Sequence, residues 1–351
     1  MKKCIALLLL VLHCTALFAC STFLLSKNGT HVFGRNYDWV SGNGMVVVNA
    51  RGVSKTSFTR PGTKTTSWIS KNGSITFNQF GKEFPHGGMN EKGLVVELMW
   101  LSETGYPSAD NRAGMNELQW IQYQLDNCAT INEVIATDRL IRIDRQGAAP
   151  LHYLIADASG KAATIEFIGG KMVVHQGASL SHPVLTNTVY SDAMQQFQGM
   201  KAEQASGNNS VERFATACRM VQQFHTTNTN QNTVDYAFSI LDNIAQGSYT
   251  KWRIVYDITT RQVYFITYDI QNRRKFSLSD FSFDCSRPAL AFPLESPRSG
   301  VIAPYFSPLD YKRNKAVIER SAEESRSAIQ IPDAQIAGAA AYFSQVRCRG
   351  E

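Results

Sequence analysis

Leu17-Phe18-Ala19-Cys20 closes an apolar run near the start of the chain. A cysteine in that place can serve three ends. It can carry a lipid anchor, it can be structural, or it can become the first residue of a mature protein. In the third case its thiol is a nucleophile. Its own α-amine, with an ordinary pKa of about 7.7–8.0, is then the base that takes the thiol proton. A cation beside the thiol would favour thiolate, and a carboxylate would hold the amine in place. The stretch Phe33-Gly34-Arg35-Asn36-Tyr37-Asp38-Trp39 offers both, as Arg35 and Asp38. These two are three residues apart on an expected strand. Both can face the thiol only if the strand bends near Asn36.

Other chemistries lack their residues. The sequence has no GxSxG, no HExxH and no phosphate-binding glycine loop. Its seven histidines are scattered without ligand spacing, so neither a metal site nor a cofactor is expected. The net charge of +6 comes without a dense basic cluster interleaved with aromatics. Nucleic acid is therefore not an expected partner.

The thiol must be positioned by the elements around it. Lys2, Lys3 and the apolar run Ile5 to Leu12 read as a signal peptide over residues 1–19. No later stretch reaches the roughly 18 apolar residues of a membrane span. An exported protein, periplasmic or secreted, is the expectation, with residues 20–351 forming one domain. Export permits disulfides. Five cysteines remain after Ala19, an odd number, so at least one thiol is free or pairs between chains. Ser21-Thr22-Phe23-Leu24-Leu25 and the stretch after Asn28-Gly29 read as a hairpin, which sets Cys20 opposite residues 35–38. Further strands are predicted around Val46, Ile75, Val95, Leu151, Ile165, Val184 and Ile254. Helices are predicted over residues 115–127, from a capping box at Thr130 to Glu133, from Ser210, over 233–245, and over 333–346. Residues 280–332 are rich in Pro and Ser and give no clear assignment. Runs of strands and helices without regular βαβ alternation predict an α+β fold of antiparallel sheets covered by helices.

Four blocks carry a family resemblance: CSTFLL…VFGRNYDW, GMNEKGLVVELMW, VLTNTVY and SVERF, in that order. Together they resemble the choloylglycine hydrolase and penicillin V acylase family of N-terminal nucleophile hydrolases, over residues 20 to about 270. The resemblance implies a four-layer αββα sandwich and hydrolysis of a non-peptide amide C–N bond. It implies roles as well: Cys20 as nucleophile and base, Arg35 and Asp38 beside it, Asn187 as an oxyanion donor, and Arg213 ordering the site. Trp100 stands where bile salt hydrolases usually carry Asn and penicillin V acylases of Gram-positive origin carry Tyr. Its backbone N–H is expected at the oxyanion hole. With Met99 and Trp39 its ring is expected to line the substrate cleft. The short segment between Asn187 and Arg213 weakens the expectation of a tetramer, leaving a homo-oligomer open. These features resemble members that cleave penicillin V or N-acyl homoserine lactones more than those that prefer bile salts. The rival expectation is an envelope-anchored binding protein with Cys20 acylated, which would lose both thiol and amine.

Overall fold

The structure, a computed structural model, describes residues 20–145, 148–201, 208–226 and 232–349. The expected signal peptide lies outside these residues. The first strand, β1 (Ser21–Lys27), turns at Asn28-Gly29 into β2 (Thr30–Asp38). Both turn residues have positive φ, 52° and 76°. An Asn-Gly pair accepts that conformation at low cost, and it matches the twist of a two-residue hairpin. Register follows from the turn: Thr22 pairs with Arg35 and Ser21 with Asn36.

These strands lie in a seven-stranded sheet, ordered Val184–Leu185, β1, β2, Thr250–Asp257, Gln262–Thr267, Arg274–Ser277, Gly300–Val301. A nine-stranded sheet runs Lys171–Gln176, Ala162–Ile168, Leu151–Ala156, Val95–Trp100, Pro85–Asn90, Ser74–Asn78, Met45–Asn49, Leu290–Pro293, Ser307–Pro308. The sheets face each other through a continuous apolar layer that includes Phe23, Phe33, Phe77 and Met89. Phe77 reaches across to Trp252 and Tyr256, with ring centroids 6.4 Å and 6.2 Å apart.

Helix α1 (Glu117–Asn127) covers the outer face of the nine-stranded sheet and is followed by α2 (Ile131–Ala136). A second apolar cluster, with the Trp120 and Tyr153 ring centroids 4.5 Å apart, sits beneath α1. After α3 (Tyr190–Gly199), helices α4 (Ser210–Thr226) and α5 (Thr233–Asn243) cover the seven-stranded sheet. The layers are therefore helix, sheet, sheet, helix, as the sequence resemblance implied. The capping box at Thr130 is formed, with the Glu133 carboxylate returning to the Thr130 N–H at 3.1 Å. On α4, Phe214, Cys218 and Val221 are buried as its apolar spacing predicts.

The structure adds two helices that the sequence reading left unassigned. One is α3. The other, α6 (Tyr311–Glu324), lies inside the Pro- and Ser-rich region. Its apolar stripe is narrow, essentially Ile318 and Ala322, so periodicity alone gives a weak signal. The expected terminal helix is α7 (Asp333–Tyr342), shorter than predicted. Cys285 and Cys348 form a disulfide, and Cys128 and Cys218 are free and buried.

Candidate active site

Cys20 lies one step before β1 and is only 4% exposed. Its thiol points to the Asp38 carbonyl oxygen at 3.8 Å. The expected bend near Asn36 is absent. Asn36 keeps regular pairing with Ser21 on one side and Arg253 on the other, and its amide donates to the Leu241 carbonyl of α5. The irregularity falls instead on the neighbouring strand, between Thr250 and Trp252, opposite Tyr37 and Asp38. Arg35 and Asp38 thus lie on opposite faces of one strand and approach Cys20 from different sides.

Arg35 is fully buried. It donates to the His86 carbonyl at 2.9 Å and the Leu98 carbonyl at 3.3 Å, lies over the Tyr37 ring at 4.9 Å, and is ion-paired to Glu97. Glu97 also accepts from Tyr256. Sequence reading passed over this partner, although Glu97 stands inside the quoted GLVVELMW block. A lone Glu among apolar residues of a strand was the available signal, since burial of such a charge demands a cation. Gly87 makes room for it: a Cβ there would meet the Glu97 carboxylate at 2.0 Å.

Asp38 accepts from the Thr250 hydroxyl through Oδ1. Its Oδ2 is buried and has no hydrogen-bond partner among the described residues. Burial pushes this carboxyl up to about 6, with Arg213 the chief opposing charge. Arg213 donates to the Cys20 carbonyl at 3.0 Å, to the Ser21 hydroxyl, and to Asn187 Oδ1 at 3.1 Å. An arginine can only donate, so this contact fixes the Asn187 amide with its nitrogen on the other side. There Nδ2 donates to the Trp100 carbonyl at 2.8 Å. The observed link between Trp100 and Asn187 therefore runs through the carbonyl of Trp100. One N–H of Asn187 is committed to it, and the second is left over from that bond.

Burial raises the Cys20 thiol above its ordinary pKa, against Arg35, which lowers it. The sequence argument anticipated the second effect and missed the larger first one. A thiol held in its protonated form needs a base at hand.

Next to Cys20 opens a cavity of about 480 Å³. Cys20, Asp38, Trp39 and Trp100 line it, with Phe58 and Phe84 among further aromatic neighbours. The Trp39 and Trp100 rings lie 6.4 Å apart. Met99 is not among the lining residues, which corrects the expectation that it faces substrate. Strand alternation turns it into the layer between the sheets, where the Thr22 hydroxyl meets its sulfur at 3.3 Å. Its neighbours Leu98 and Trp100 take the cavity side. Arg35, Asn187 and Arg213 are likewise not lining residues but stand around Cys20. Among the described residues, no three His, Cys, Asp or Glu side chains form a metal-binding group.

Residues 14–291 match the model of the linear amide C–N hydrolases, choloylglycine hydrolase family. The chain belongs to this family. Over 251 aligned residues it is 30% identical to the penicillin V acylase of Pectobacterium atrosepticum, covering 56% of this chain and 64% of that protein. The match thus spans a little under two thirds of that relative's length. The fold resembles that of penicillin V acylase from Agrobacterium tumefaciens, with TM-score 0.70 and 23% identity, covering 83% of this chain and 98% of that one. It also resembles a variant of conjugated bile acid hydrolase from Clostridium perfringens, with TM-score 0.68 and 16% identity, covering 80% and 98%.

One cavity residue of this family member gives a pH-dependent prediction. Glu117, at the start of α1, lines the cavity and is buried, and its carboxyl is pushed up to about 7 by that burial. Backbone donors, including the Ala149 N–H at 3.3 Å, offset only part of the cost. A carboxyl whose folded pKa exceeds its unfolded value stabilises fully below the unfolded pKa. That stability is lost as pH rises through about 7. Glu117→Gln is therefore expected to raise the melting temperature at pH 8 while leaving it nearly unchanged at pH 4.5. The gain has an upper bound of about 3 kcal/mol. Thermal unfolding at both pH values checks this, and equal shifts at both would remove the titration from the account.

Proposed function

We propose that the protein is exported, is cut immediately before Cys20, and hydrolyses linear amides through the Cys20 thiol. The observation that carries this reading is the unpartnered, buried Oδ2 of Asp38 beside Cys20. A free α-amine on Cys20 would supply the missing hydrogen-bond donor. The buried position of Cys20 weighs against the lipoprotein alternative, since an acylated thiol must reach the surface.

In this scheme the amine takes the thiol proton as sulfur attacks the amide carbonyl carbon. The new oxyanion is met by the remaining N–H of Asn187, whose amide Arg213 holds in orientation. The intermediate collapses as the C–N bond breaks, and the ammonium returns the proton to the departing nitrogen. Water, activated by the same amine, then hydrolyses the thioester and frees the acid and the thiol. Burial keeps the thiol protonated until a base acts, and the adjacent amine is that base. Arg35, fixed by Glu97, stabilises the thiolate as it forms.

The cavity favours an apolar acyl group, so phenoxyacetyl and fatty-acyl amides are the better substrates and bile salts the weaker. Likeness to a penicillin V acylase supports this preference. Kinetics with penicillin V, glycocholate and an N-acyl homoserine lactone test it. Trp100→Ala is expected to cost about 1–3 kcal/mol in kcat/KM for the phenoxyacetyl group, the scale of a lost ring contact plus its burial. Efficient cleavage of glycocholate, with no response to this change, would assign Trp100 to packing alone.

A further inference from the structure

The family match ends at residue 291, yet the cavity beside Cys20 is closed by residues beyond it. Ile318, Ile329, Ile331, Pro332, Ile336 and Ala339 all line it. They belong to α6, to the connection after it, and to α7. None of these lining side chains is charged.

This segment is tied down on both sides of the cavity. Before it, the Trp39 indole donates to the Ser325 hydroxyl at 2.9 Å and the Asn43 amide to the Ser321 hydroxyl at 2.7 Å. The backbone N–H of Lys82 donates to Asn314 at 2.8 Å. After it, the Gln119 amide donates to the Tyr342 hydroxyl at 2.9 Å. Cys348 is joined to Cys285, and Arg347 pairs with Ser54 across a short antiparallel strand. Between these anchors, Ile329, Ile331 and Ile336 stay only half-buried. Isoleucines held firmly at a wall yet left partly uncovered present apolar surface for a ligand to cover. Phe58, Phe84 and Trp100 complete the apolar lining, with Phe58 and Phe84 packed edge-on against Tyr342 of α7, and no Lys or Arg lines any part of the cavity.

We propose that residues 329–339 form a substrate-selecting wall, which clamps an uncharged, unbranched alkyl acyl chain against Trp100 and Phe84 while its carbonyl lies at Cys20. This rests on the hydrolase reading above and adds the acyl class and the segment that selects it. Each methylene buried should raise kcat/KM about fourfold, the fold-change that corresponds to ~0.8 kcal/mol. The gain should stop when the cavity is filled. A carboxylate at the chain's far end should abolish it, because no cation awaits it in the cavity.

The test uses 4-nitroanilides of straight-chain acids from acetyl to dodecanoyl, together with the decanoyl analogue bearing a terminal carboxylate. The processed wild type should show a rising profile that plateaus, and should reject the carboxylate. Ile336→Trp should move the plateau to shorter chains. Ile331→Ala should flatten the rise, which keeps the test open if the tryptophan variant does not fold. A flat wild-type profile, or profiles in both folded variants equal to the wild type's, overturns the proposal. If the wild type cleaves no anilide of any length, calorimetry with butyrate, decanoate and sebacate is the readout. Chain-length-dependent binding of decanoate with rejection of sebacate upholds the wall while the hydrolase reading falls. Equal or absent binding of all three overturns the wall.

Discussion

Cys20→Ala is expected to lower kcat/KM for the best amide substrate by about 10⁴-fold or more, the scale seen when a nucleophile is removed and only binding and oxyanion contacts remain. Among the described residues, no other thiol can take over. Cys285 and Cys348 are joined to each other. Cys218 is buried on the inner face of α4, and burial pushes the Cys128 thiol up to about 12. Thiol alkylation should inactivate the wild type with one equivalent bound at Cys20, and peptide mapping would locate it. Cys128→Ala and Cys218→Ala should keep the chemistry in any variant that folds, with some loss of stability from the cavities left behind. Near-normal turnover in folded Cys20→Ala would reject the mechanism at its first step.

The second large effect concerns the peptide bond before Cys20. In the uncut chain the nitrogen of Cys20 is an amide and takes up no proton, so the thiol has no base. A form that keeps even one residue ahead of Cys20 is expected to lose about 10²–10⁴-fold in kcat, the usual contribution of a positioned general base. Active protein should begin Cys-Ser-Thr-Phe on N-terminal sequencing. A protease site engineered directly before Cys20 would allow one preparation to be assayed before and after cutting. The unpartnered Oδ2 of Asp38 makes a further demand on this experiment. Asp38→Asn should weaken the gain on cutting, because the new ammonium loses its anion. Full activity with the leader retained would mean that another group takes the thiol proton.

Much of the frame was legible because its signals are local. Asn28-Gly29 forced a tight turn and, with it, the register that sets Arg35 against Thr22. Thr130 and Glu133 marked a helix start by their own hydrogen bonds. The β-branched and aromatic residues of Val95 to Trp100 marked a strand, though assigning Met99 to the cleft beside Trp100 ignored that successive strand side chains point to opposite faces. Helix α6 escaped because a surface helix with a narrow apolar stripe looks like a polar loop in a Pro-rich region.

What the sequence by itself determined was the candidate thiol and its immediate strand neighbours. Cys20 stands at the end of an apolar run, and the hairpin that follows brings Arg35 and Asp38 to it with fewer than twenty residues between. Such contacts follow from turn geometry and strand period, both of which act over a few residues. The tertiary structure alone decided three things. It placed Glu97 on Arg35, a pairing between strands of different sheets. It put the thiol under enough protein that burial outweighs its cationic neighbour. It also carried α6 and α7 back, nearly three hundred residues along the chain, to close the cavity beside Cys20. The physical reason is common to all three. Desolvation and long-range packing depend on which surfaces meet, and no local pattern of residue types records that meeting.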